Sequence, residues 1–141
     1  MIRKYLPTDM ETIIKVWYES TTLAHPFMTE KFKEKEAEAI RNIYLPNTET
    51  WVYEKDQQLI GFISMIKNEV GAIFLLPAFH GEGIGKQLMD TVAELFDELE
   101  VEVFEKNKIG RKFYDRYGFT FLKKHLHEET GEELLRLKFV K

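Results

Sequence analysis

The sequence has no cysteine at all. That excludes disulfides, thiolate zinc sites and cysteine nucleophiles, and it sets the expectation of a reducing, cytoplasmic setting. Long apolar runs are missing too. The longest strongly apolar stretch, Ala72 to Phe79, is interrupted by Pro77 and is less than half of the about 20 residues that a membrane-spanning helix needs. The opening segment from Met1 to Met10 carries no apolar core of the secretory kind, so neither export nor membrane association is expected. Positive charge is not in excess: 20 Lys and Arg stand against 24 Asp and Glu, for a formal charge of -4. Neutralising a phosphate backbone needs such an excess, so nucleic acid is not an expected partner. Glycine and proline are sparse, at 8 and 4 in 141 residues, while 44% of the chain is hydrophobic. Such a composition buries a core and fits one domain over residues 1–141, with a single site and either a monomer or a homodimer as the working unit.

The hydrophobic pattern alternates between two periods. Ile2 to Tyr5 reads as a short first strand closed by Pro7. Thr8 with Glu11 has the spacing of a capping box, and Met10, Ile13, Ile14 and Trp17 recur at helical intervals until Ser20, Thr21, Thr22 and His25-Pro26 interrupt them. Thr29 is placed to cap a second helix that runs to about Tyr44, where Pro46 stops it. Its pairs Lys31 with Glu34, Lys33 with Glu36 and Lys35 with Glu38 describe a solvated face. From Glu49 the period becomes two. Thr50 to Tyr53 and Leu59 to Ile66 form a hairpin around Lys55-Asp56-Gln57-Gln58, and Val70 to Leu76 is a third, interior strand. Gly83 to Leu99 predicts a helix with Ile84, Leu88, Val92, Leu95 and Leu99 on one side. A strand Val101 to Phe104, a helix Lys108 to Tyr117, and two closing strands, Phe119 to Leu126 and Leu134 to Val140, complete a mixed α/β sheet with helices on both faces.

The most informative stretch is Pro77-Ala78-Phe79-His80-Gly81-Glu82-Gly83-Ile84-Gly85-Lys86, which joins a buried strand to the start of a helix. Unpaired N–H groups and a partial positive charge at a helix N-terminus attract anions, and glycines let a large one approach. Spacing selects among phosphate ligands. A Walker turn fails because His80 takes its first glycine place and Gln87 its hydroxyl place. The dinucleotide fingerprint fails as well, because Lys86 or Leu88 falls on its last glycine. Three glycines, Gly81, Gly83 and Gly85, exceed what a tight turn alone requires.

These residues resemble the pyrophosphate motif Q/R-x-x-G-x-G/A of the GNAT superfamily of N-acetyltransferases, read here as His80-Gly81-Glu82-Gly83-Ile84-Gly85. His80 replaces the usual Gln or Arg. A second family motif, N-x-x-A-x-x-F-Y-x-x-x-G-F, is matched from Asn107 to Phe119, with Tyr114 in the tyrosine place and Gly110 where the family has alanine. The order of elements follows the same fold. The resemblance implies a central, mostly antiparallel, twisted sheet of about seven strands, splayed near the fourth and fifth, with four helices on its two faces. The segment Trp17 to Phe27 is similar to that of short bacterial GNAT enzymes whose acceptors are proteins or are poorly known.

The resemblance implies acetyl-CoA as cosubstrate and an amine, on a small molecule or a protein, as acceptor. No metal is implied, and His125 and His127, alternating on a late strand without a third ligand, read as a solvent face. The pantetheine would lie along the backbone of Ile73, Phe74 and Leu75, the pyrophosphate on the N–H groups from Gly81 to Lys86, and Asn107 would reach the cofactor from the far side. Tyr114 takes the place of the general acid. Glu102 resembles the base position of protein N-terminal acetyltransferases; as a charge between Val101 and Val103 it faces either the cleft or solvent. The loop from the first to the second helix, with Glu19, Ser20, Thr21 and His25, lies where acceptors enter. A GNAT-like acyl-CoA sensor without turnover is the alternative, and an acid at position 114 argues against it.

Overall fold

The structure is a computed structural model that describes every residue from Met1 to Lys141. Strand β1 (Ile2–Lys4) leads through a 3-10 turn to α1 (Met10–Ala24) and α2 (Glu30–Ala39). A π turn (Ile40–Tyr44) and a 3-10 turn around Pro46 carry the chain into β2 (Glu49–Lys55), β3 (Gln58–Ile66) and β4 (Glu69–Leu75). Then come α3 (Ile84–Ala93), β5 (Glu98–Phe104), α4 (Lys108–Tyr117), β6 (Thr120–His127) and β7 (Glu132–Val140). The strands form one sheet of 7 in the order β1-β2-β3-β4-β5-β7-β6. Every neighbouring pair is antiparallel except β4 and β5. No helix is long and apolar enough to cross a membrane.

Alternation along the strands serves two cores, one on each face. Val52 and Phe62 turn to Ile13, Ile14, Trp17 and Ile40, whereas Trp51 and Ile63 turn to Leu88, Met89, Val92 and Tyr114. Side chains such as Ile13, Ile63, Leu88 and Leu99 are fully buried, each contributing roughly 1.5–3 kcal/mol by leaving water.

Four local expectations are corrected. The first helix does not stop at Ser20, because each hydroxyl finds a partner: Thr22 donates to the Tyr18 carbonyl at 2.7 Å and Ser20 to the Leu75 carbonyl at 2.9 Å. Its start is not a Thr8 capping box. Asp9 takes the N–H of Leu6 at 2.8 Å and the guanidinium of Arg3 instead. The third helix ends at Ala93 rather than Leu99: Leu95 is exposed, and Leu99, Val101 and Val103 are buried at the period of a strand that begins at Glu98. The face of α2 is not uniformly solvated either. Lys33 is buried against Tyr18 and pairs with Glu30 at 2.8 Å, leaving Glu36 without it. Thr29 does cap α2, accepting the Phe32 N–H at 3.1 Å.

Candidate active site

Parallel pairing between β4 and β5 is limited to Glu69 with Glu100 and Val70 with Val101. Beyond these residues the strands diverge, and a cleft of about 1240 Å³ opens between the end of α1, β4, the glycine turn, β5 and α4.

The glycine turn forms one end. Gly81 and Gly83 adopt φ of +85° and +82°, the left-handed region that favours glycine, and a Cβ on either would meet no atom within 4 Å. None of the N–H groups from Gly81 to Lys86 has a backbone partner, and the first helical bond is Gln87 N–H to Gly83 at 3.1 Å. Open space, unpaired donors and the positive end of α3 coincide, so these residues fit a pyrophosphate. Gly85 serves packing instead, because a Cβ there would lie 3.0 Å from Cε1 of Phe113, and its absence lets α3 pack on α4. Glu82 is neutralised beside the turn by Lys55 at 2.9 Å, and Lys86 donates to Asp90 at 2.8 Å.

Strand β4 forms the floor. Leu76 N–H donates to Ile60 at 2.9 Å, so in this register Phe74, paired with Phe62, also points its backbone groups at β3. Ile73 and Leu75 point theirs into the splay. Of the three residues expected to bind pantetheine, Ile73 offers its N–H and carbonyl, Leu75 its N–H, and Phe74 neither. The Leu75 carbonyl accepts from Ser20 and from Nε2 of His80 at 3.0 Å, which ties the His80 ring to the strand.

Asn107 caps α4, its Oδ1 accepting the Gly110 N–H at 2.9 Å. That bond fixes which amide atom is which, so Nδ2 donates to Nε2 of His25 at 3.2 Å. The proton of His25 is then on Nδ1, donated to Thr21 Oγ1 at 2.6 Å. His25 is 7% exposed, and burial pushes its pKa down to about 4. The ring is a neutral strut between α1 and α4 rather than an open loop side chain. Gly110 belongs to the same arrangement, because a Cβ there would stand 2.6 Å from Nδ2 of Asn107. Of the other acceptor candidates, Ser20 and Thr21 line the cleft, while Glu19 is exposed on the outer face of α1.

Tyr114 lines the cleft with its ring in the core, and its hydroxyl has no hydrogen-bond partner although no fully buried polar side-chain atom lacks one. The oxygen therefore opens on the cleft. Burial raises its pKa, so the phenol keeps its proton at neutral pH. Glu102 lines the cleft too: Oε2 accepts from Nε2 of His125 at 2.6 Å and lies 3.6 Å from Arg136, which leaves Oε1 free. His125 is thus partner to Glu102 rather than solvent alone.

Sequence reasoning missed a row of rings. Phe104 packs 5.1 Å from His25, 5.1 Å from Phe27 and 5.4 Å from His127, and His127 packs 6.2 Å from Phe32. Period two from Glu102 places Phe104 on the cleft face, a signal available in the sequence. The partners from α2 and β6 were not, because their proximity is set by the fold.

Residues 15–138 match the family model described as the acetyltransferase (GNAT) domain. Among curated proteins, the chain is 34% identical over 131 residues to the peptidyl-lysine N-acetyltransferase YiaC of Escherichia coli, covering 92% of this chain and 90% of that protein. To the peptidyl-lysine N-acetyltransferase YjaB of Escherichia coli it is 27% identical, covering 99% and 96%. The solution structure of apo YjaB superimposes with a TM-score of 0.88 at 24% identity, over 99% and 97% of the two chains. The PaiA N-acetyltransferase of Thermoplasma acidophilum, solved in complex with coenzyme A, gives 0.75 at 24% identity over 99% and 98%. The chain belongs to the GNAT family of acetyltransferases. It is an acetyl-CoA-dependent acyltransferase.

Proposed function

We propose that residues 1–141 form one catalytic unit, working in the cytoplasm, that moves an acetyl group from acetyl-CoA directly to a primary amine. Two relatives are named for peptidyl-lysine acetylation, which makes a lysine side chain the first acceptor to test; an N-terminal or small-molecule amine uses the same chemistry. The observation that carries the reading is the unpartnered Tyr114 hydroxyl, open on a cleft whose far end is the N–H array from Gly81 to Lys86.

When bound, acetyl-CoA supplies a thioester carbonyl for attack and a sulfur that leaves. The array from Gly81 to Lys86 holds the pyrophosphate, and the open backbone groups of Ile73 with the N–H of Leu75 orient the pantetheine. Asn107 acts from the opposite wall. Its amide is engaged by His25 and Gly110, so it fixes the start of α4, and with it Tyr114, more than it reaches outward. Tyr114 holds a proton at Oη and delivers it to the departing sulfur. A lysine amine with a pKa of about 10.4 arrives protonated and must lose that proton first. Oε1 of Glu102 takes it, directly or through one water, while His125 and Arg136 fix the other oxygen.

Release of CoA from acetyl-CoA, measured over lysine peptides, free amino acids and alkyl amines, tests the reading, with Tyr114→Phe alongside. Turnover is expected to fall about a hundredfold in the variant while CoA affinity holds. Near-normal turnover would reduce Tyr114 to packing, and no turnover of any amine would overturn the acetyl-transfer reading.

A further inference from the structure

Four acidic residues border the cleft, and three are engaged. Glu69 meets Arg136 at 3.1 Å, Glu102 meets His125 at 2.6 Å, and Asp90 accepts from Lys86 at 2.8 Å and Tyr117 at 2.7 Å. Glu36, on α2, has neither a hydrogen-bond nor an ion-pair partner for its carboxylate, although it is half-buried. Burial raises its pKa, so the site lacks the compensation that a buried charge ordinarily finds.

Its surroundings define what could supply that compensation. Phe32, Glu36 and Ile40 follow one another at helical spacing and all face the cleft. Phe32 begins the row of rings that runs through His127 and Phe104 to His25, and so to Asn107 at the start of α4. The groups whose charge bears on Glu36 are His127, Glu129 and Lys35. Lys35 is taken by Glu129 at 2.7 Å, and Nδ1 of His127 by Thr130 at 2.9 Å. An aromatic wall with one free carboxylate at its α2 end suits an apolar stem that carries a positive charge.

That charge is not the reacting amine. Reaction requires the amine beside Tyr114 on α4 and Glu102 on β5, whereas Glu36 lines the cleft from α2 beside Phe32. We infer that Glu36 determines acceptor specificity by receiving a second positively charged group of the acceptor, carried beside the amine that is acetylated. The inference rests on the acetyl-transfer reading. It narrows the acceptor to a molecule with two cations on a flexible apolar chain, such as a lysine peptide with a neighbouring arginine or an alkyl diamine.

Two peptides identical except for arginine or glutamine beside the acceptor lysine test this, with 1,4-diaminobutane against n-butylamine as the small-molecule arm. Wild type should favour the dicationic member about fivefold in kcat/KM, mainly through KM, as expected for one partly screened ion pair. In Glu36→Gln the ratio should fall to about one, and Glu36→Asp, which keeps the charge, should retain part of it. Calorimetry of the same ligands on CoA-saturated protein gives the preference without turnover. Preference confined to the peptides assigns a protein acceptor, and preference confined to the diamine assigns a polyamine. Equal turnover of both members, or a preference that survives in Glu36→Gln, overturns the inference and leaves acetyl transfer standing. A Glu36-dependent binding preference without any turnover keeps the cation site and sinks acetyl transfer; absence of both overturns both.

Discussion

His25 shows how a residue's chemistry depends on where the fold puts it. A histidine before a proline reads as an exposed loop residue near an entrance, yet its ring is sealed between Thr21 and Asn107 and packs on Phe27 and Phe104. The consequence is a pH-dependent stability with a definite sign. The folded pKa, about 4, lies below the unfolded value of about 6.5, so His25 contributes fully above pH 6.5 and its contribution is lost as pH falls toward 4. The unfolded chain takes up the proton first. Across that window the loss approaches about 3 kcal/mol, and His25→Gln should flatten it. Urea titrations between about pH 7.5 and pH 4 measure both slopes, and parallel slopes would remove His25 as the cause. Nothing near His25 in the chain announces this burial, because its partner Asn107 comes from another element. The motif around Asn107 was legible. The glycine at 110, a departure from the alanine of that motif, is the space into which the Asn107 side chain folds.

At the scale of elements, the start of α3 was legible because its function is backbone-deep: glycines at positive φ and a run of unpaired N–H groups follow from spacing. The three glycines nevertheless divide their labour, which spacing does not reveal. Gly83→Val pushes a β-branched residue into the left-handed region and a side chain into the ligand's space, so CoA affinity should drop by tenfold or more, about 1.4 kcal/mol or above. Gly85→Val drives its methyl groups against Phe113, so the larger loss should be in stability, about 1–3 kcal/mol by overpacking. Thermal melts and calorimetry on both variants separate the two roles; a Gly85→Val variant that melts like wild type would show that the packing assignment is wrong. The overrun of the third helix past Ala93 has a related cause. Leu95 and Leu99 continue the helical pattern by coincidence, while the burial of Leu99, Val101 and Val103 at period two decides for a strand.

For the whole molecule, the decisive feature is the place where the sheet stops being a sheet. The parallel contact of β4 with β5 has two residue pairs, whereas β5 pairs with β7 from Glu98 to Phe104, so the halves flanking the cleft are each better knit than the seam between them. A ligand that binds along Ile73 and Leu75 and caps the N–H array supplies part of the missing pairing. Binding to the folded state alone stabilises it, by about 2.7 kcal/mol at a ligand concentration a hundred times Kd. Backbone amides should report where. In hydrogen exchange with saturating CoA, protection should rise at Ile73, at Leu75 and from Gly81 to Lys86, whose N–H groups have no backbone acceptor. Phe74, already paired with Phe62, should gain only what the general stabilisation gives, and β6, at the outer edge of the sheet, should gain no more than that either. Protection spread evenly over all strands, without excess at β4 and the glycine turn, would mean that CoA does not complete the seam.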